Sequence, residues 1–131
     1  MGFSPYSSDE QNNPRLPTIQ PGAKWTQSLP AANAQASIAV SGVAGKRLRL
    51  TGCSIDNIGS AASSAVQITV KDGAVVVFST TQVVNAGATL NLTALIGQYG
   101  IEVTTAAALT VTVPAGGVNS QWVLNVGRIQ Y

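Results

Sequence analysis

The feature that most constrains this chain is a period of two. From residue 25 to residue 131, apolar side chains recur at alternate positions in short runs, and no useful length repeats at the spacing of an amphipathic helix. Such alternation sends one set of side chains to one face of a strand and the rest to the other. Leu48 and Leu50 alternate with Arg47 and Arg49, and Val66, Ile68 and Val70 with Gln67 and Thr69. Leu109, Val111 and Val113 alternate with Thr110 and Thr112, and Trp122, Leu124 and Val126 close the series. Turn residues separate these runs at roughly 8–12-residue spacing, the signature of a sandwich or barrel. The pattern predicts an all-β fold: a single antiparallel β-sandwich of about eight strands over residues 25–131, behind an extended arm over residues 1–24.

Punctuation refines the reading. Trp25 is expected to begin a short strand, and Ser37 to Val40 forms the next. Gly42-Val43-Ala44-Gly45 is expected to turn the chain into a long strand over Lys46 to Ile55. Within it the inward positions move from Leu48 and Leu50 to Cys53 and Ile55, which requires an extra residue, and Gly52 is where a bulge fits. A second bulge is expected at Gly127. Asp72-Gly73 is the strongest hairpin signal, read as a type I′ turn with Val75 and Val77 returning on the partner strand. Asp56 to Ser60 is expected to open a polar loop. Residues 93–108 fit either one helical turn or a long crossing loop.

Charge is scarce. Asp, Glu, Lys and Arg make up 9% of the chain, against roughly 25% in an ordinary soluble domain. A lone monomer keeps its surface soluble with mixed charge, so much of this surface is expected to be buried against copies of itself or a partner. The net charge of +2 is nearly balanced, and the basic stripe of a nucleic-acid binder is missing, so no nucleic-acid partner is expected. No run approaches the ~18 apolar residues of a membrane span, and the first 24 residues lack the apolar core of a signal peptide. Synthesis in a cytoplasm, with no membrane partner, is the expectation.

Catalytic chemistry finds few parts. Without histidine, Ser-His-Asp and Cys-His mechanisms have no base. Cys53, the sole cysteine, makes no intrachain disulfide and no zinc site; it reads as a small buried hydrophobe. Of the five acids, only Asp56 and Glu102 lie in segments that would converge as loops, and two Trp and three Tyr are few for a sugar cleft. Gly42 to Lys46 lacks both the spacing and the Ser or Thr of a phosphate loop, since Arg47 follows the lysine. No enzyme activity, cofactor, metal or small-molecule substrate is expected.

Interaction residues are easier to nominate. Pro5, Pro14, Pro17 and Pro21 favour an extended arm, and Tyr6 and Arg15 would give it contacts in a groove on a neighbouring subunit. Lys46, Arg47 and Arg49 form the basic cluster. Arg47 and Arg49 point the same way, either toward carboxylates on a partner or sister subunit, or as a solvated face that discourages edge pairing. Trp25 and Trp122 read as core at the first and last strands, with an inter-subunit anchor as the alternative. The candidates are Pro5, Tyr6, Pro14, Arg15, Pro17, Trp25, Arg47 and Arg49.

The run Gly45-Lys46-Arg47-Leu48-Arg49-Leu50, the alternation from Val66 to Val70, Asp72-Gly73, and Leu109-Thr110-Val111-Thr112-Val113 together resemble small jelly-roll-like β-sandwich virion proteins of tailed bacteriophages. The resemblance covers residues 25–131. It implies a virion structural protein on the capsid surface, often a homotrimer, of the capsid decoration (cement) type, with the major capsid protein as partner. It also implies N-terminal arms that clasp neighbours, and it brings no catalytic residues. Receptor-binding modules of tail fibres or spikes and head–tail neck proteins are the alternatives within that group. For a receptor-binding role the loops Ser60 to Ser64 and Pro114 to Gly117 are small and bland.

Overall fold

The computed structural model describes residues 24–97, 99–104 and 107–131. Among them are β1 (Lys24–Gln27), β2 (Ala31–Ala32), β3 (Ala36–Val40), β4 (Leu48–Asn57), β5 (Val66–Asp72) and β6 (Val75–Gln82). They are followed by β7 (Thr89–Asn91), the single helical turn α1 (Thr93–Ile96), β8 (Ile101–Val103), β9 (Leu109–Val113) and β10 (Gln121–Gln130). Two antiparallel sheets face each other: β1-β10-β4-β7, with β2 also on β10 and β8 also on β4, and β3-β9-β5-β6.

Ten strands, rather than eight, arise because two edges are broken. β1 and β2 pair with opposite ends of β10, and β7 and β8 pair with opposite ends of β4. Counting each broken edge as one strand, the sheets run 1-8-3-6 and 2-7-4-5. That is the interleaved order of a jelly roll, two Greek keys folded on each other. The segment after residue 92 takes the helical-turn alternative. Asn91 Oδ1 accepts the Thr93 amide at 2.9 Å, and Thr93 Oγ1 accepts that of Cys53 at 3.2 Å, which docks α1 on β4.

The alternating residues build the core. Leu48, Leu50, Cys53, Ile55, Trp122, Leu124 and Val126 of one sheet meet Ile38, Val66, Ile68, Val70, Leu109, Val111 and Val113 of the other. Each buried aliphatic side chain contributes roughly 1.5–3 kcal/mol. The Trp122 indole N–H is satisfied by the Pro114 carbonyl at 2.8 Å.

Register explains the parity shift. Gly52 opposes Gly127 while Leu50 opposes Arg128, leaving Thr51 as the extra residue of a bulge on β4. β10 skips no residue in its pairing with β4 or β1, so no second bulge forms at Gly127. Its final turnover instead places Arg128 and Gln130 across from inward-facing Leu50 and Leu48. Arg128 reaches Thr26 Oγ1 at 2.7 Å, whereas the buried Gln130 amide nitrogen has no hydrogen-bond partner among the described residues.

The hairpin after β5 is present but one position along from the expected turn. Asp72 pairs with Val75, so Gly73 and Ala74 are its central residues. Positive φ falls on Gly73 alone, at 61°, which suits a type II′ turn, with glycine first. Strand β4 also runs to Asn57, where a loop was expected, and begins at Leu48 rather than Lys46.

Candidate interaction face on the larger sheet

The outward residues of β1, β10, β4, β7 and β8 form one surface. Directly opposed residues in antiparallel strands share a face, and the register therefore sets out rows. Gln27, Asn125, Ser54 and Asn91 form one row, and Trp25, Gly127 and Gly52 the next. Beyond the bulge come Ile129, Arg49 and Glu102, then Tyr131 and Arg47, joined by backbone hydrogen bonds in both directions at 2.6 and 2.9 Å. Trp25 lies far in sequence from Arg47 and Arg49 and finishes on the same surface.

Trp25 is not core. It lies on an edge strand at an outward position and is 66% exposed, while Trp122, at an inward position of a central strand, is 1% exposed. The Trp25 ring lies over Gly52 and Gly127. A Cβ at either would come within 2.7 or 2.8 Å of ring carbons, so both glycines are needed to seat the ring against the backbone.

Arg47 and Arg49 converge on one carboxylate. Arg47 Nη1 donates to Glu102 Oε2 at 2.9 Å and Arg49 Nη2 to Glu102 Oε1 at 2.6 Å. Arg49 also donates to the Tyr99 carbonyl at 2.6 Å and the Tyr131 hydroxyl at 3.1 Å. The Tyr131 hydroxyl hydrogen bond, followed by the charges of Tyr131 and Glu102, raises the Arg49 pKa, while burial opposes that rise. Two guanidinium groups on one carboxylate leave a unit of positive charge. Arg49 is held by several partners; Arg47, with its side chain 65% exposed, presents that charge to solvent. An exposed pair such as Arg47–Glu102 adds little stability, so its presence suits recognition better than folding.

Tyr99 and Tyr131 are exposed beside the arginines. Trp, Tyr and Arg are the residues in which interfaces concentrate energy. Glu102 and the two tyrosines were missed as interaction residues from sequence. Tyr131 carried a signal, since it keeps the outward parity of β10 that ends opposite Arg47. Tyr99 and Glu102 carried none, because the irregular segment around α1 hid their register.

Asp56 and Glu102 do not converge. Both lie in strands, Glu102 opposite Arg49 and Asp56 near the other end of β4. Asp56 instead accepts the Thr89 hydroxyl at 2.5 Å and faces Asn125 Nδ2 at 3.5 Å. Lys46 belongs to a turn, its amide donating to the Val43 carbonyl at 3.0 Å. Among the described residues no three His, Cys, Asp or Glu side chains group as metal ligands, and no helix is long and apolar enough to cross a membrane. Pro5, Tyr6, Pro14, Arg15 and Pro17 lie outside the described residues. No protein-family model matches the chain, and comparison with curated proteins returned no match.

Proposed function

We propose that this chain is a virion structural protein of the capsid decoration type, which docks on the outer head surface through the exposed face of its larger sheet and through its N-terminal arm. The observation that carries the reading is the gathering of Trp25, Arg47, Tyr99 and Tyr131 on one exposed surface of a charge-poor jelly roll. The resemblance of residues 25–131 to phage virion proteins supplies the setting: a homotrimer bound across neighbouring copies of the major capsid protein. The mechanism is mechanical. Aromatic burial and the free charge of Arg47 against a carboxylate-bearing capsid surface hold the oligomer in place. Ordering the arm costs affinity per contact, and several linked contacts on a symmetric platform offset that cost.

The test is capsid occupancy. Trp25→Ala combined with Arg47→Glu should leave the unfolding temperature nearly unchanged and lower occupancy by more than tenfold, since two central interface residues typically cost ~2 kcal/mol or more together. Deletion of residues 1–22 should leave a folded sandwich that attaches more weakly. Unchanged occupancy in both variants would contradict the reading.

A second reading has one observation behind it. Trp25 presents its ring to solvent beside the row of Gln27, Asn125 and Asn91 amides, and Tyr99 and Tyr131 present theirs farther along the same face, a combination that also suits a receptor-binding module of a tail fibre. Binding of the isolated protein to host cells, without capsids, would favour it.

A further inference from the structure

Among the described residues, strand β6 is the long edge of the sandwich that nothing guards. Sheet edges expose unpaired backbone groups, and proteins blunt them with short or broken strands, charges or proline. Among the described residues, one edge of the larger sheet is broken into β1 and β2 beside Lys24 and Pro30, and the other is broken by α1 into two three-residue strands. In the smaller sheet β3 has five residues, but β6 has eight, and residues 73–85 contain neither charge nor proline.

The core also stands open along this edge. Inward-facing Val66, Ile68 and Val70 of β5 are at most 3% exposed, whereas Phe78, Thr80 and Gln82 of β6 are only half-buried. Val75, Val76 and Val77 are exposed at the start of the strand. A register shift at Val77 leaves Phe78 to Gln82 as the regular stretch.

We propose that β6 pairs antiparallel with β6 of a second copy of this chain, joining two four-stranded sheets into one. Charge selects this occupant. The described residues hold six cations (Lys24, Lys46, Arg47, Arg49, Lys71, Arg128) and three anions (Asp56, Asp72, Glu102), a net +3. An acidic partner is therefore drawn to Arg47, and a neutral strand to β6. Within residues 1–23 the longest proline-free run, between Pro5 and Pro14, carries Asp9 and Glu10 and fits the neutral edge poorly. A second β6 brings uncharged residues against uncharged residues, and its two-fold contact is self-complementary. With the axis at Thr80, Phe78 faces Gln82 and Ser79 faces Thr81. The cross-strand row Ser37, Thr112, Thr69 and Ser79, already linked by a Ser37–Thr112 hydroxyl contact of 3.2 Å, then continues into the second molecule with the hydroxyl pairs that stabilise sheets. The inference rests on the self-assembly part of the reading above, is independent of the capsid, and replaces a lone homotrimer by an even-numbered assembly, either a dimer or two trimers joined through β6.

Sedimentation equilibrium of the full chain tests it. Wild type should form an even-numbered assembly. Ser79→Lys with Thr81→Lys should halve the mass, with association weakened roughly tenfold or more by like charges across the axis, while Ser37→Lys on β3 leaves the assembly intact. As a check independent of that variant's folding, Thr80→Cys should give a disulfide-linked dimer under mild oxidation, because Cys53 is buried and does not compete. A monomeric wild type, trimers alone, an undiminished mass in the Lys variant, or no cross-link would each overturn the pairing. Loss of the dimer on deleting residues 1–22, with the Lys variant unaffected, would assign the contact to the arm and overturn it too. An even-numbered assembly that fails to bind capsids would keep the pairing and overturn the capsid reading instead.

Discussion

Asn57 shows how one polar side chain ties the top of the sandwich together. It is fully buried, and its amide donates to the carbonyls of Ala61 and Val84, both at 2.9 Å. Its oxygen accepts the amides of Gly59 at 3.0 Å and Gln121 at 3.2 Å. The end of β4, the following loop, the exit of β6 and the start of β10 thus share one residue. Asn57→Leu removes the partner of the part-buried Ala61 carbonyl and of the Gly59 and Gln121 amides, while the Val84 carbonyl keeps the Ser63 amide at 2.9 Å; it should lower stability by about 3 kcal/mol, read from urea unfolding. The sequence placed Asn57 in a loop because asparagine signals a turn; its parity with Cys53 and Ile55 was the stronger clue. Cys53 behaves as expected of a buried hydrophobe. Burial pushes its thiol up to about 12 from an ordinary 9.0. In the unfolded chain the thiol ionises above pH 9, while in the folded protein it keeps its proton to about 12. Stability therefore falls as pH rises through that window, and Cys53→Ala should flatten the fall. Iodoacetamide at neutral pH should label Cys53 only after unfolding.

At the scale of elements, legibility followed the regularity of pairing. β3, β5 and β9 of the smaller sheet and the long β4 and β10 were readable because the faces of their alternation carry contrasting residues, as in Val66 to Val70 and Leu109 to Val113, whereas the expected return through Val75 and Val77 gave way to inward Phe78, Thr80 and Gln82 after an extra residue at Val77. The bulge was readable from the shift between Leu50 and Cys53, although the extra residue proved to be Thr51 beside the marking glycine. Gly127 misled, because a small residue there serves the Trp25 ring above it and not a bulge. The broken edges, β1 with β2 and β7 with β8, are two to four residues each, too short for a period to show. Two of the face's aromatic and charged residues, Tyr99 and Glu102, sit in or beside such a break. The Trp25 seat yields a sharp expectation. Gly127→Ala should lift the ring off β10 and increase acrylamide quenching of Trp25 relative to buried Trp122, with little change in stability because the exposed ring is free to move outward. Unchanged quenching would mean that the ring is not held by the two glycines.

The whole molecule has its shape from apolar alternation and its surface from scarcity of charge. The core layers need few charges, and among the described residues Arg47, Arg49 and Glu102 meet on one outward face while the other charges sit near strand ends and in turns. A surface so poor in charge is ill suited to stand alone in water, which is the physical ground for the proposal that the protein works as part of a particle. The copy number of the chain relative to the major capsid protein in purified particles, by quantitative mass spectrometry, tests that placement most directly. The account predicts a number comparable to that of the capsid protein. A handful of copies would place the chain in tail, fibre or neck, and absence from particles would contradict the virion reading altogether.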